Sequence, residues 1–132
     1  KILFSSGESM VKKDGQKILT RVGDILKKIE NKQIRIEGHT DNVPIGKELE
    51  YRFTTNWELS SARATNVARY LIEKVGVDPK RISVVGYADQ RPIGVNTTAE
   101  GRARNRRIEI VLIPIDIDRV VVPQQSGTPP AK

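Results

Sequence analysis

Apolar positions recur along the first part of the chain with the spacing of an amphipathic α-helix. Between Asp14 and Glu30 they fall at i, i+1, i+4, i+7, i+8 and i+11, which places them on one helix face. Asp14 at the start and Lys27 and Lys28 near the end carry the charges that suit a helix dipole. The stretch is therefore predicted to be a helix, with a buried face formed by Ile18, Leu19, Val22, Ile25, Leu26 and Ile29.

A second helical pattern begins after the residues Thr55-Asn56-Trp57-Glu58, which have the form of a capping box. Gly76 supplies a left-handed stop, and the proline that follows prevents continuation of the helix. Another capping box, from Thr97 to Glu100, predicts a short helical turn. The apolar stripe of the second helix consists of Ala64, Val67, Ala68, Leu71, Ile72 and Val75.

Four short segments have the composition or alternation of β-strands. They are Lys1–Phe4, Gln33–His39, Arg81–Gly86 and Arg107–Ile113. The order strand, helix, strand, helix, strand, short helix, strand predicts an α/β (α+β) two-layer sandwich. We expect the helices to lie on one face of a mixed four-stranded sheet.

The predicted domain covers residues 1–113, and residues 114–132 form a C-terminal extension that reads as a flexible tail, because the chain closes on PQQSGTPPAK. Residues 40–53 show no sustained period and predict a long loop, which in compact domains is usually functional or disordered. Since the chain opens directly on a strand-like KILF, we expect further segments upstream in the full protein.

The residue inventory argues against an enzyme. With 132 residues, one histidine and no cysteine, the chain lacks thiolate nucleophiles, disulfides and the usual zinc ligands, so neither a metal nor a cofactor is expected. His39 and Asp41 would allow a Ser-His-Asp set, but no GxSxG elbow is present. The phosphate-binding motifs GxxxxGK(S/T) and GxGxxG are also absent from the sequence.

A net charge of +7 favours an acidic partner without choosing which one. The arginine cluster Arg102, Arg104, Arg106 and Arg107 is the best argument for nucleic acid, since arginines neutralise phosphates. However, no aromatic residue interleaves with the cluster, as stacking on single strands would require. A basic nucleic-acid-binding domain is therefore a distant alternative, and a solvated helix face explains the cluster equally well.

One pair of residues is suited to recognition of an amino acid. Asp41 directly follows a predicted strand, and Arg63 lies in the first turns of the next helix, beside its apolar stripe. An aspartate accepts from an ammonium group, and an arginine fork binds a carboxylate bidentately, so the two together would bind a zwitterion. A plain salt bridge between them is the alternative.

Four segments of the chain resemble the OmpA-like peptidoglycan-binding domains, in the order in which that family has them. Together they run from residue 36 to residue 109 of the predicted domain. They are Ile36-Glu37-Gly38-His39-Thr40-Asp41-Asn42, Asn56-x-x-Leu59-Ser60-x-x-Arg63-Ala64, Arg81 to Tyr87 with Arg91-Pro92, and Glu100-Gly101-Arg102 with Asn105-Arg106-Arg107-Ile108-Glu109.

The resemblance implies a periplasmic domain that binds peptidoglycan non-covalently and catalyses nothing. In that family an Asp and an Arg hold the diaminopimelate residue of the peptide stem, and these correspond to Asp41 and Arg63 here. The positions that line or support the pocket correspond to Thr40, Asn56, Asn105 and Arg106. The resemblance further implies a tether to the outer or inner membrane through segments absent from this sequence.

The chain departs from typical members in the link between Asp41 and Asn56, where residues 42–55 form an insertion. The insertion and the following N-W-E-L-S are similar to the domain of flagellar-motor stator B subunits, which suggests wall binding gated by assembly as an alternative, with a homodimer as a further possibility. The insertion either closes over the ligand or contacts a partner. Trp57 is expected to pack as a lid on the core, with a partner contact by Trp57 and Tyr51 as the other interpretation.

Overall fold

Three helices and three strands organise the part of the chain that the computed structural model describes, residues 3–4, 9–47, 50, 52–115 and 119–124. A π-helical turn, Leu71–Val75, continues the second helix, and a 3-10 turn, Pro79–Arg81, precedes the second strand. The main elements in chain order are α1 (Lys13–Lys28), β1 (Lys32–His39), α2 (Asn56–Tyr70), β2 (Ile82–Gly86), α3 (Ala99–Asn105) and β3 (Arg107–Pro114).

The sheet is mixed and has β1 at its centre. β2 runs parallel to β1 on one side, and β3 runs antiparallel to it on the other. Ile36 of β1 stands opposite Val84 of β2 and Ile110 of β3. A parallel pair needs a long crossover, and α2 supplies it between β1 and β2. The prediction of a mixed α+β fold with a mixed sheet is confirmed.

The core lies between α2 and the face of the sheet that carries Ile34 and Ile36, both fully buried. α2 packs on β1 and β2, while α1 packs against α2 and the π turn that follows it. Each aliphatic side chain buried in this way contributes about 1.5–3 kcal/mol. The buried cluster consists of Leu19, Leu26, Ile34, Ile36, Ala64, Val67, Ala68, Leu71 and Val77.

The ends of α2 have the predicted caps. The Thr55 hydroxyl and the Glu58 carboxylate form the reciprocal capping box, and Gly76 stops the π turn with φ at +93°. The third helix differs from expectation, because its cap is Thr98 alone. The Thr98 hydroxyl accepts from the Gly101 amide at 3.0 Å, so Glu100 is one position too early to complete a box.

The buried face of α1 is narrower than its apolar pattern suggests. Leu19 and Leu26 are buried, but Ile18 is 41% and Ile25 61% exposed. α1 packs mainly against α2 and the turn that follows it, so only part of the apolar stripe finds a neighbour.

The predicted first strand, Lys1–Phe4, lies half outside the described residues. Its described half, Leu3 and Phe4, is not part of a strand, and the described sheet therefore has three strands where four were expected. The Leu3 carbonyl instead accepts from the Lys12 amide at 2.7 Å, and both apolar side chains pack against the core.

The last strand ends close to the predicted domain boundary, since β3 reaches Pro114. Residues 119–124 belong to no helix or strand, and the valines among them are 81–91% exposed. The division into a domain of residues 1–113 and a tail of residues 114–132 stays a prediction.

Candidate functional site

The segments that follow β1 and β2 meet at one end of the sheet, where α2 begins. The Tyr87 amide donates to the Gly38 carbonyl at 2.9 Å, and the Thr40 amide donates to the Ala88 carbonyl at 2.8 Å. The Ser60 hydroxyl of α2 accepts from the Ala88 amide at 3.0 Å, which ties the helix to the same corner. Ligand sites are common at the carboxyl ends of strands in such sheets.

Asp41 is the buried carboxylate of this corner, with a side chain only 10% exposed. Its Oδ1 accepts from the Val43 amide at 3.0 Å, and its Oδ2 accepts from Arg106 Nη1 at 2.6 Å. A charge-assisted bond of that length fixes the carboxylate firmly. The Arg106 side chain is 32% exposed, so the ion pair borders on solvent.

Asn56 and Thr40 both hold the main chain around Asp41. Asn56 Nδ2 donates to the carbonyl of Asp41 at 3.3 Å and to that of Val43 at 3.0 Å. The Thr40 hydroxyl donates to the Asp41 carbonyl at 2.8 Å. The first residue of α2 is thereby fastened to the segment that carries the carboxylate.

Arg63 lies two turns further along α2 than Asn56, on the same helix face. The residue is only 7% exposed, and its guanidinium stands 5.0 Å from the ring centroid of Phe4. The ion pair seen at Asp41 runs to Arg106, 65 residues away in sequence. This pair is not predictable from the sequence, because α3 has to turn the chain back before Arg106 reaches the corner.

Asn105 is fully buried, and its amide group is saturated by hydrogen bonds. Its Oδ1 accepts from the amides of Ile93 at 2.7 Å and Gly94 at 2.8 Å. Its Nδ2 donates to the Gly94 carbonyl at 2.9 Å and to Asn96 Oδ1 at 2.8 Å. Asn105 therefore organises the loop before α3 and sets the position at which Arg106 leaves the helix.

The insertion is held near both of its ends. The backbone amide and carbonyl of Val43 bond at the site, although the Val43 side chain is 51% exposed, and Phe53 is buried. Trp57 is 49% exposed and is not among the side chains that pack against the core, so the expectation that it packs as a lid on the core is wrong. Tyr51 lies outside the described residues. Val43 could not be identified from the sequence, because it contributes only its backbone amide and carbonyl groups.

Taken together, the corner holds the Asp41 carboxylate and the Arg106 guanidinium bonded to it, while Arg63 lies further along α2 with its guanidinium over the ring of Phe4. Such a set has acceptor and donor groups for both ends of a zwitterion.

Residues 3–106 match the OmpA family. This range covers most of the chain, and the chain therefore belongs to the OmpA family.

Three relatives, each 40% identical to the chain, show the range of proteins that carry such a domain. Motility protein B of Bacillus subtilis aligns over 86% of this chain and 42% of its own length. Outer membrane protein A of Bordetella avium aligns over 83% and 53%. The solved cell wall anchor of the T6SS from Pseudomonas aeruginosa aligns over 86% and 76%, with a TM-score of 0.75.

The chain spans about half the length, or less, of the two full-length relatives. Within the ranges that the structure describes, no helix has both the length and the apolar character needed to cross a bilayer.

Proposed function

We propose that this domain binds peptidoglycan non-covalently through the diaminopimelate residue of the peptide stem and anchors a longer protein to the cell wall. Asp41 accepts the ammonium group of the free amino-acid end, and Arg63 binds its carboxylate. The observation that carries the proposal is the buried carboxylate of Asp41, which accepts a hydrogen bond on each oxygen. It lies beside the start of the helix that carries Arg63.

The remaining site residues keep this arrangement in shape. Thr40 and Asn56 hold the main chain of Asp41, and Asn105 holds the loop from which Arg106 emerges. Arg106 neutralises Asp41 in the absence of a ligand and is placed to share the ligand carboxylate once the ammonium group binds Asp41. Membership of the OmpA family and the likeness to a solved cell wall anchor support this assignment.

The available interactions predict weak binding of one domain to one peptide stem, and stronger overall binding when many such contacts form. A hydrogen bond to a charged group contributes about 1.5–3 kcal/mol, so a two-point clamp corresponds to a micromolar-to-millimolar Kd. A wall presents many stems, and several anchors on one wall gain by avidity. The net charge of +7 favours a polymer whose stems carry carboxylates.

Co-sedimentation with purified sacculi tests the assignment. Asp41→Asn keeps the shape of the side chain and removes its charge, and Arg63→Lys keeps the charge and removes the bidentate fork. We expect each variant to reduce binding at least about tenfold, the loss of one charge-assisted bond. Arg69→Lys is the matched control, because Arg69 lies on α2, is exposed and pairs with Glu73 at 3.2 Å.

The experiment is run at low and at moderate salt. A specific clamp survives moderate salt, whereas attraction by net charge alone falls steeply. Wild-type binding in both Asp41→Asn and Arg63→Lys, with folding verified by circular dichroism, would contradict the assignment of the site.

The proposed location follows from the proposed ligand. Peptidoglycan places the domain in the periplasm, tethered to the outer or inner membrane by segments outside this sequence. The relatives include an outer membrane protein and a motility protein, which is compatible with either tether.

A second candidate is a stator-type anchor of the flagellar motor, in which assembly gates wall binding. The likeness to Motility protein B and the insertion of residues 42–55 favour it. A gated domain would bind sacculi weakly on its own and strongly after deletion of the insertion's central part, residues 46–51. An ungated anchor would bind equally well with and without that part.

A further inference from the structure

A second polar cluster lies on the face of the sheet that points away from the core. Glu37 of β1 stands directly opposite Glu109 of β3 in the antiparallel register, and His39 follows two positions along β1. One ligand atom from each of the three side chains lies within 4.8 Å of the others. Like charges directly opposite each other destabilise a strand pair, so the two glutamates need a positive partner.

Arginines supply part of that charge and leave part of each carboxylate unused. Arg35 Nε donates to Oε2 of Glu37 at 2.9 Å, and Arg107 Nε donates to Oε2 of Glu109 at 2.5 Å. The Oε1 atom of Glu37 faces His39 Nε2 at 3.4 Å, which is long for a hydrogen bond. Carboxylates that bind metals are commonly held in this way by a hydrogen bond to the second oxygen.

His39 is a buried imidazole without adequate hydrogen bonds. The residue is 3% exposed and stacks on Tyr87 with the ring centroids 5.2 Å apart. Its Nδ1 has no hydrogen-bond partner in the part of the chain that the structure describes. A buried polar atom in that state calls for an explanation, and a bound ion is one of the recognised ones.

We propose that Glu37, His39 and Glu109 bind a divalent first-row transition cation such as Zn²⁺. One imidazole nitrogen and two carboxylate oxygens leave a fourth position for water, which is the ligand number of an open zinc site. The Glu109 side chain is 43% exposed and gives the ion a route from solvent. Two neighbouring guanidiniums repel a cation, so the affinity is micromolar at best. The small number of possible metal ligands in the sequence argued against a metal site. That number does not show that the strand register brings Glu37, His39 and Glu109 together.

The only histidine of the chain makes the test direct. Zn²⁺ is titrated into the ¹⁵N-labelled protein while the imidazole ¹⁵N signals of His39 are followed by NMR, and stoichiometry is measured by calorimetry. We expect one equivalent to bind and to shift one imidazole nitrogen. Glu109→Gln is expected to weaken binding at least tenfold, since loss of even an outer partner costs about 10–100-fold.

Glu73→Gln is the matched control, because Glu73 is an exposed glutamate that also pairs with an arginine. Wild-type affinity in this variant and weak binding in Glu109→Gln support the site. Unchanged His39 signals at 1 mM Zn²⁺, or equal affinities in both variants, would overturn the proposal. Glu109 is partly exposed, so its variant is expected to fold, and circular dichroism verifies this. The outcome is independent of sacculus binding, which rests on Asp41 and Arg63.

Discussion

Among single residues, Gly38 determines how closely the central strand approaches α2. A Cβ atom at this position would lie 2.1 Å from the Ser60 carbonyl oxygen, which belongs to helix backbone and cannot rotate away. The contact lies three residues before Asp41, so the same approach that packs the core also places the proposed binding residue at the start of the helix.

Replacement of Gly38 by alanine is expected to destabilise the domain by about 3 kcal/mol, at the upper end of overpacking costs. Gly76→Ala is the comparison, since it meets no atom within 4 Å and suffers only from its positive φ. That strain costs about 1–2 kcal/mol. Urea unfolding of both variants measures the difference, and equal losses would contradict the packing argument.

The residues proposed from the sequence differ in how local their role is. Asp41 and Arg63 could be proposed from the sequence because their residue types suit a zwitterion, with Asp41 directly after a predicted strand and Arg63 in the first turns of the next helix. The saturation of Asn105 by loop atoms depends on the fold of residues 93–96 and leaves no local signal. The same holds for the pairing of Asp41 with Arg106, which only the completed sheet brings together.

Helix ends are the elements that the sequence predicts best, because capping is a local interaction. Thr55 and Glu58 form their box within four residues, and Gly76 is recognisable as a stop. The exposure of Ile18 and Ile25 was not predictable in this way, since it depends on which neighbour α1 finds. The fourth strand of the sheet was expected from four residues, two of which lie outside the described ranges.

The capping box of α2 predicts a contribution to acid sensitivity. Hydrogen bonds, first from the Thr55 side chain and then from the backbone, lower the pKa of Glu58 below its usual 4.5. A lowered carboxyl pKa means that the stabilisation is complete above pH 4.5 and is lost as the pH falls through the folded value.

Glu58→Gln keeps a capping side chain and removes the titration. We therefore expect its unfolding free energy to fall less steeply than that of the wild type between pH 5 and pH 3, as measured by urea unfolding. A wild-type slope in the variant would show that other carboxyl groups account for the acid sensitivity at this end of the protein.

At the scale of the whole molecule, two features of the topology bring the polar and charged side chains of the surface together. The crossover through α2 puts the ends of β1 and β2 beside the start of the helix, and the antiparallel return of β3 brings Arg106 and Glu109 to β1. Periodicity predicts the elements and their layers, while these pairings follow from register. A sequence without its fold therefore shows the candidates Asp41 and Arg63 but not that Arg106 pairs with Asp41.

Removal of residues 119–132 is expected to leave folding almost unchanged. The described valines of this segment are 81–91% exposed, and changes at such surfaces usually alter stability by less than about 0.5 kcal/mol. Thermal unfolding of the truncated protein measures this. A fall in Tm of more than about 8 °C, which corresponds to more than 1 kcal/mol for a domain of this size, would show that the tail packs on the domain.

The central claim is that the domain binds the free amino-acid end of diaminopimelate. The most direct test compares two stem peptides that differ only at this residue. One peptide carries meso-diaminopimelate, and the other carries lysine at the same position, which keeps an ammonium group but lacks the second carboxylate. Calorimetric titration is predicted to show at least tenfold weaker binding of the lysine peptide, with Arg63→Lys removing most of that preference. Equal affinity for the two peptides would contradict the proposed roles of Asp41 and Arg63.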